Sequence, residues 1–77
     1  MIFLIEYDRD RGKLITFTSY QDRERKNAES ARLELELDLN RRNVEHEVVI
    51  LEAATEDAVR RTHRRYFETL EELLKAS

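Results

Sequence analysis

The spacing of apolar residues changes period several times along the chain, and each change marks an element. Residues 2–8, Ile-Phe-Leu-Ile-Glu-Tyr-Asp, are rich in β-branched and aromatic types. The run is too short for a helix, so it predicts a strand. Residues 9–12, Arg-Asp-Arg-Gly, follow as a turn, with Gly12 free to take the positive φ that such a loop needs near its end. Residues 13–18, Lys-Leu-Ile-Thr-Phe-Thr, complete a hairpin.

The period then lengthens. Ser19 with Asp22 resembles a capping box, and a helix is expected from about Tyr20 to about Arg42. Asp22 and Glu24 suit its positive end, Arg41 and Arg42 its negative end, and Asn43 the left-handed position after it. The stretch from Leu33 to Leu39 alternates leucine with acid, which is a strand period. Leucine and glutamate are strong helix formers and β-branched residues are missing there, so helix is the reading adopted. Residues 45–53 predict a third strand around Val48-Val49-Ile50-Leu51. Thr55 is a good N-cap, with Glu56 and Asp57 in the first turn of a last helix reaching about Lys75. Val59, His63, Tyr66, Phe67, Leu70, Leu73 and Leu74 fall on one stripe of it.

These elements predict one α+β domain over residues 1–77, of order ββαβα. The simplest assembly is a three-stranded sheet of order 2-1-3 with both helices packed on one face. The first strand is the most continuously apolar and belongs in the centre. The third strand, reached by a helical crossover, runs parallel to the second and antiparallel to the first.

Alternation sorts the side chains. Phe3, Ile5 and Tyr7 share a face with Ile15 and Phe17 and are expected to meet the helices. The other face carries Ile2, Leu4, Thr16 and Thr18, with either Val48 and Ile50 or Val49 and Leu51. No third helix is left to roof it, and an open apolar face marks an interface. On the first helix Ala28, Ala31, Leu35 and Leu39 line one side, while Leu33 and Leu37 lie almost opposite. Those two leucines pack at the rim, stand in solvent or meet another molecule. The expected interface is therefore Ile2, Leu4, Thr16, Leu33, Leu37, Val48 and Ile50.

Composition adds a reason for a partner. A 77-residue domain buries only about 60–65% of the surface of its unfolded chain, so its margin is thin. Cysteine is absent, which removes disulfides and thiolate metal sites, and His46 and His63 are the two histidines. Association is the staple that remains. A homodimer is expected, by sheet face, strand edge or helix, together with a possible protein partner. Proline is absent and Gly12 is the one glycine, so most of the chain should be regular structure.

The net charge of −3 argues against a general nucleic-acid binder. The apolar start is short and acids follow at once, so neither a signal peptide nor a membrane span is expected, and cytoplasmic residence follows by default. The alternative function uses the stripe Arg60, Arg61, Arg64 and Arg65, which falls on one arc of the last helix and could track phosphates. Against it, Glu56–Arg60, Asp57–Arg61 and Arg64–Glu68 are spaced for pairing on the helix itself.

No catalytic, cofactor or metal residues are assigned, and the chain is not expected to be an enzyme. His63 sits on the apolar stripe with no recognisable catalytic partner, although a site around His63 and a tyrosine stands as a third reading. His46 lies between Glu45 and Glu47, but neighbours in a strand point to opposite faces and the three cannot converge. Glu34, Glu36 and Asp38 fan out around a helix. The lone glycine rules out Gly-rich nucleotide loops.

The stretch Glu47 to Ala53, followed by Ala58 to Phe67, resembles a family of small uncharacterised bacterial single-domain proteins of similar length. That resemblance covers the C-terminal half and implies no activity. The hairpin–helix–strand order is also similar, in topology alone, to small RNase H-like antitoxin domains, and fold does not fix function.

Overall fold

A computed structural model describes residues 1–68 of the chain. Strands β1 (Ile2–Asp8) and β2 (Lys13–Tyr20) form the hairpin, helix α1 (Arg25–Arg41) crosses the sheet, β3 (Glu47–Glu52) follows, and α2 (Glu56–Thr62) comes last. The sheet has the expected order β2-β1-β3, with β1 antiparallel to both neighbours. Leu70, Leu73 and Leu74 of the expected apolar stripe lie outside the described residues.

The hairpin closes as its residues require. Gly12 takes φ +63, where a side chain would strain the backbone. Asp8 Oδ1 accepts from the backbone N–H groups of Asp10 at 3.1 Å and Arg11 at 3.2 Å. The strand register slips once: Glu6 lies opposite Thr16 and Tyr7 opposite Leu14. Ile15 is the residue bulged out, and it stands 44% exposed rather than on the Phe3 face. Leu14 takes its place opposite Tyr7.

The entry to α1 differs from the sequence reading. β2 continues through Ser19 and Tyr20, so Ser19 cannot cap. The box forms two residues later instead, where Gln21 N–H donates to Glu24 Oε1 at 2.9 Å above a single 3-10 turn, Asp22–Glu24. At the far end Asn43 takes the expected left-handed φ of 56. Val44 N–H then reaches Leu39 O at 2.9 Å and Asn43 N–H reaches Asn40 O at 3.2 Å, which closes a Schellman cap.

The two helices occupy opposite faces of the sheet, not one. Phe67 sets its edge on Phe17 at 5.2 Å between ring centroids, Phe17 stacks on Phe3 at 5.5 Å, and Tyr66 meets Tyr7 edge-on at 5.2 Å. The chain from α2 to Phe67 therefore covers the Phe3–Ile5–Tyr7 face. α1 packs on β1 and β3, and its residues Glu36, Leu39 and Asn40 form a groove with His46 and Val48. Val48 pairs with Glu6, so that groove lies on the Ile2–Leu4–Glu6 face. Small Ala28, fully buried, lets α1 approach closely enough to roof it. α1, of 17 residues, suffices for one face of a sheet only three strands wide, and the shorter α2 with the turn after it covers the other.

β1 is consequently enclosed on both sides. Ile2, Phe3 and Ile5 are 0% exposed and Leu4 is 4% exposed. Ala28 and Leu39 join the core from α1, and Val59 and Tyr66 from the opposite side.

α2 ends at Thr62 rather than running on through residue 68. Thr55 Oγ1 accepts from Ala58 N–H at 3.1 Å, as its N-cap role requires. Thr62 Oγ1 bonds back to Ala58 O at 2.9 Å, which weakens a helix where it occurs. His63 then leaves helical geometry at φ −125, ψ 52, and a 3-10 turn, Arg64–Tyr66, follows. The break turns Tyr66 and Phe67 down onto Tyr7 and Phe17.

Candidate functional site

The expected interface divides in two. Ile2 and Leu4 are buried beneath α1, so the face they were to open is closed. Thr16 is half-buried and donates its hydroxyl to Glu6 Oε1 at 2.9 Å. Val48 and Ile50 sit on that same face opposite Glu6 and Leu4, which settles the choice against Val49 and Leu51. They are half-buried. Leu33 and Leu37 remain on the surface, 56% and 53% exposed, while Ala28 and Leu39 turn inward. Two large leucines one turn apart on α1 are the principal apolar feature left outside among the described residues.

Among the described residues β3 adds a second open surface. It is an edge strand, and its four central residues, Val48 to Leu51, are all only half-buried although both faces of the sheet carry a helix. Between Glu47 and Glu52 it has neither lysine nor proline, and its pairing with β1 runs without a bulge. β2, the other edge, has both a bulge and Lys13. Edges are normally blunted by such devices.

The ionisable side chains are arranged in closed sets. Glu6, Asp8 and His46 gather on the α1 face: His46 Nδ1 lies 2.6 Å from Glu6 Oε2, and Nε2 lies 3.6 Å from Asp8 Oδ2. Glu6 and Asp8 are buried. With Thr16 this set links side chains of β1 and β2 to His46, which immediately precedes β3. Glu45 and Glu47, the sequence neighbours of His46, do not converge on it. The acids that do converge come from β1. Glu6 and Asp8, two apart in the central strand of a small sheet, were the available signal, since buried acids require partners. Both imidazole nitrogens face a carboxylate, and no group of three or more acidic or histidine side chains is placed to hold a metal ion among the described residues.

Glu47 anchors the opposite face. It accepts hydrogen bonds from Arg9 Nε at 2.7 Å, Arg65 Nη2 at 2.7 Å and the Tyr66 hydroxyl. Burial pushes the Glu47 carboxyl up, but the bonds from Tyr66, Arg65 and Arg9 outweigh it and hold the group down at about 2. Burial and the bond to Glu47 push the Tyr66 phenol up to about 12. His63 lies tilted beside Tyr66, 6.4 Å between ring centroids. The phenol is turned to Glu47, so the two do not form a paired acid and base.

The arginine stripe is paired throughout. Arg60 binds Glu56 at 3.1 Å, Arg61 binds Asp57 at 2.8 Å, Arg64 binds Glu68 at 2.9 Å, and Arg65 binds Glu47. The first three are the i,i+4 pairs the spacing predicts, although Arg64 and Glu68 lie beyond the end of α2. Arg60 also lies 4.6 Å from the Phe67 ring centroid, and Arg65 lies 4.1 Å from that of Tyr66. These guanidiniums serve packing on the aromatic face.

No helix among the described residues is long and apolar enough to cross a membrane. Compared with known proteins, the chain matches no family model, and neither a curated protein nor a solved structure is found similar to it.

Proposed function

We propose that this chain is a non-enzymatic protein-interaction module that acts as a homodimer. The observation that carries the reading is the exposed pair Leu33 and Leu37 on α1. Leucine on a charged helix surface costs solubility and returns nothing unless something covers it. The open, apolar edge of β3 adds support. Small size without cysteine points the same way, since a second subunit adds buried area that one short chain lacks.

Phosphate recognition through Arg60, Arg61, Arg64 and Arg65 has less to draw on. Each guanidinium would have to leave a carboxylate before it met a phosphate, and the net charge opposes approach.

Light scattering after size-exclusion chromatography tests the proposal. The unmodified chain is expected to elute as a dimer at micromolar concentration. The double variant Leu33→Lys, Leu37→Lys is expected to elute as a folded monomer with an unchanged circular-dichroism spectrum. A dimer unaffected by both substitutions would remove the observation on which the reading stands.

A further inference from the structure

Resting on that reading, the geometry points to a specific mode of assembly: β3 pairs antiparallel with β3 of a second copy about a twofold axis at Val49, joining two sheets into one of six strands.

The backbone supplies the first argument. Met1 and Ala53 exchange two hydrogen bonds, N-terminal amine to Ala53 O at 2.8 Å and Ala53 N–H to Met1 O at 3.1 Å. Bonded pairs in an antiparallel ladder recur at every second residue. Leu51, Val49 and Glu47 therefore turn their N–H and C=O groups inward to Phe3, Ile5 and Tyr7. Val48, Ile50 and Glu52 turn theirs outward along the open edge. Three donors and three acceptors stand in a row on a flat strand without bulge, lysine or proline.

The register follows from side chains. A twofold axis perpendicular to the sheet keeps each face on its own side, so it must pass through a residue. Centred on Val49, it sets Val48 against Ile50 of the second copy, apolar to apolar. Centred on Ile50, it would set Glu52 against Val48 on the α1 face, an acid against an apolar side chain.

The helix layer agrees independently. Arg25 at the start of α1 binds Glu52 at the end of β3. Leu39 and Asn40 near its other end share a groove with His46 and Val48. α1 thus runs antiparallel to β3, and Leu33, midway along it, falls level with Val49. Leu33 also lies three residues before Glu36 and seven before Asn40, both of which line that groove, so it shares their stripe on the β3 side of the helix. One axis at Val49 therefore brings the strand edges together and draws Leu33 toward Leu33 of the second copy.

Amide hydrogen exchange on the unmodified dimer, followed residue by residue, tests the geometry. The Val48 and Ile50 amides are expected to be protected at concentrations where the dimer forms and to lose that protection on dilution. As a second readout, Val49→Cys is expected to give a covalent dimer under mild oxidation, because facing residues of a non-bonded antiparallel pair bring their Cβ atoms close. Ile15→Cys, exposed on the opposite edge strand β2, is expected not to. A dimer whose Val48 and Ile50 amides exchange freely and whose Ile15→Cys variant cross-links overturns the edge geometry while leaving the interaction reading intact. A chain that stays monomeric overturns both.

Discussion

His46, just before the edge strand, holds its Nδ1 2.6 Å from Glu6 Oε2 on the central strand. Glu6 carries its other oxygen 2.9 Å from the Thr16 hydroxyl, on the remaining strand. The three side chains form one polar rung across the sheet, roofed by α1. A carboxylate at this depth is tolerable only because both oxygens have partners.

Removing one end of the rung should therefore cost more than removing a surface ion pair. His46→Ala leaves Glu6 with Thr16 alone and is expected to lower unfolding stability by about 2 kcal/mol. Thr16→Val is expected to cost about 1 kcal/mol. Urea denaturation of both variants and their double mutant checks this. The two losses should fail to add, since both act on one carboxylate.

Glu47 predicts the acid side of the stability curve. Its carboxyl is held at about 2, against an ordinary value of 4.5. A depressed folded-state value contributes stability that is complete above 4.5 and is lost as pH falls from there toward 2. Tyr66→Phe removes one donor to Glu47, so the melting temperature of that variant should fall less steeply between pH 5 and pH 2 than that of the unmodified chain. Parallel thermal melts across that range read the difference.

The paired arginines should separate by what they touch. Arg61 forms an exposed pair with Asp57, and Arg61→Ala is expected to change stability by no more than about 0.5 kcal/mol. Arg65 bonds Glu47 and stacks on Tyr66, so Arg65→Ala is expected to cost about 1–2 kcal/mol. Chemical denaturation at neutral pH distinguishes them.

The two stripes of α1 should respond in opposite ways. Leu39→Ala removes a buried side chain and is expected to cost about 2–4 kcal/mol. Leu37→Ala is expected to leave the fold of the single chain within about 0.5 kcal/mol and to weaken association instead. Unfolding measured at two protein concentrations separates the terms, because only a loss of association depends on concentration.

Much of this architecture was legible in the chain. The strand order, the hairpin at Gly12, the cap at Thr55, the left-handed Asn43 and the inward and outward leucines of α1 all follow from local chemistry that nothing overrides. The placement of α2 was not legible, because the face an element covers is decided by the route of the chain after β3, not by its own pattern. Ile2 and Leu4 were read as exposed for that reason. The break at His63 was hidden by a stripe that runs on regularly through Tyr66 and Phe67. Ser19 was overridden by strand pairing with Phe3. The partners of His46 were hidden because they lie about forty residues away, and only the acids at Glu6 and Asp8 in a central strand betray them.

Sedimentation equilibrium of the unmodified chain over a dilution series is the most direct test of association. The account predicts a mass twice the 9.3 kDa of one chain at the highest loading, falling toward one chain on dilution. A mass of one chain at every loading contradicts it.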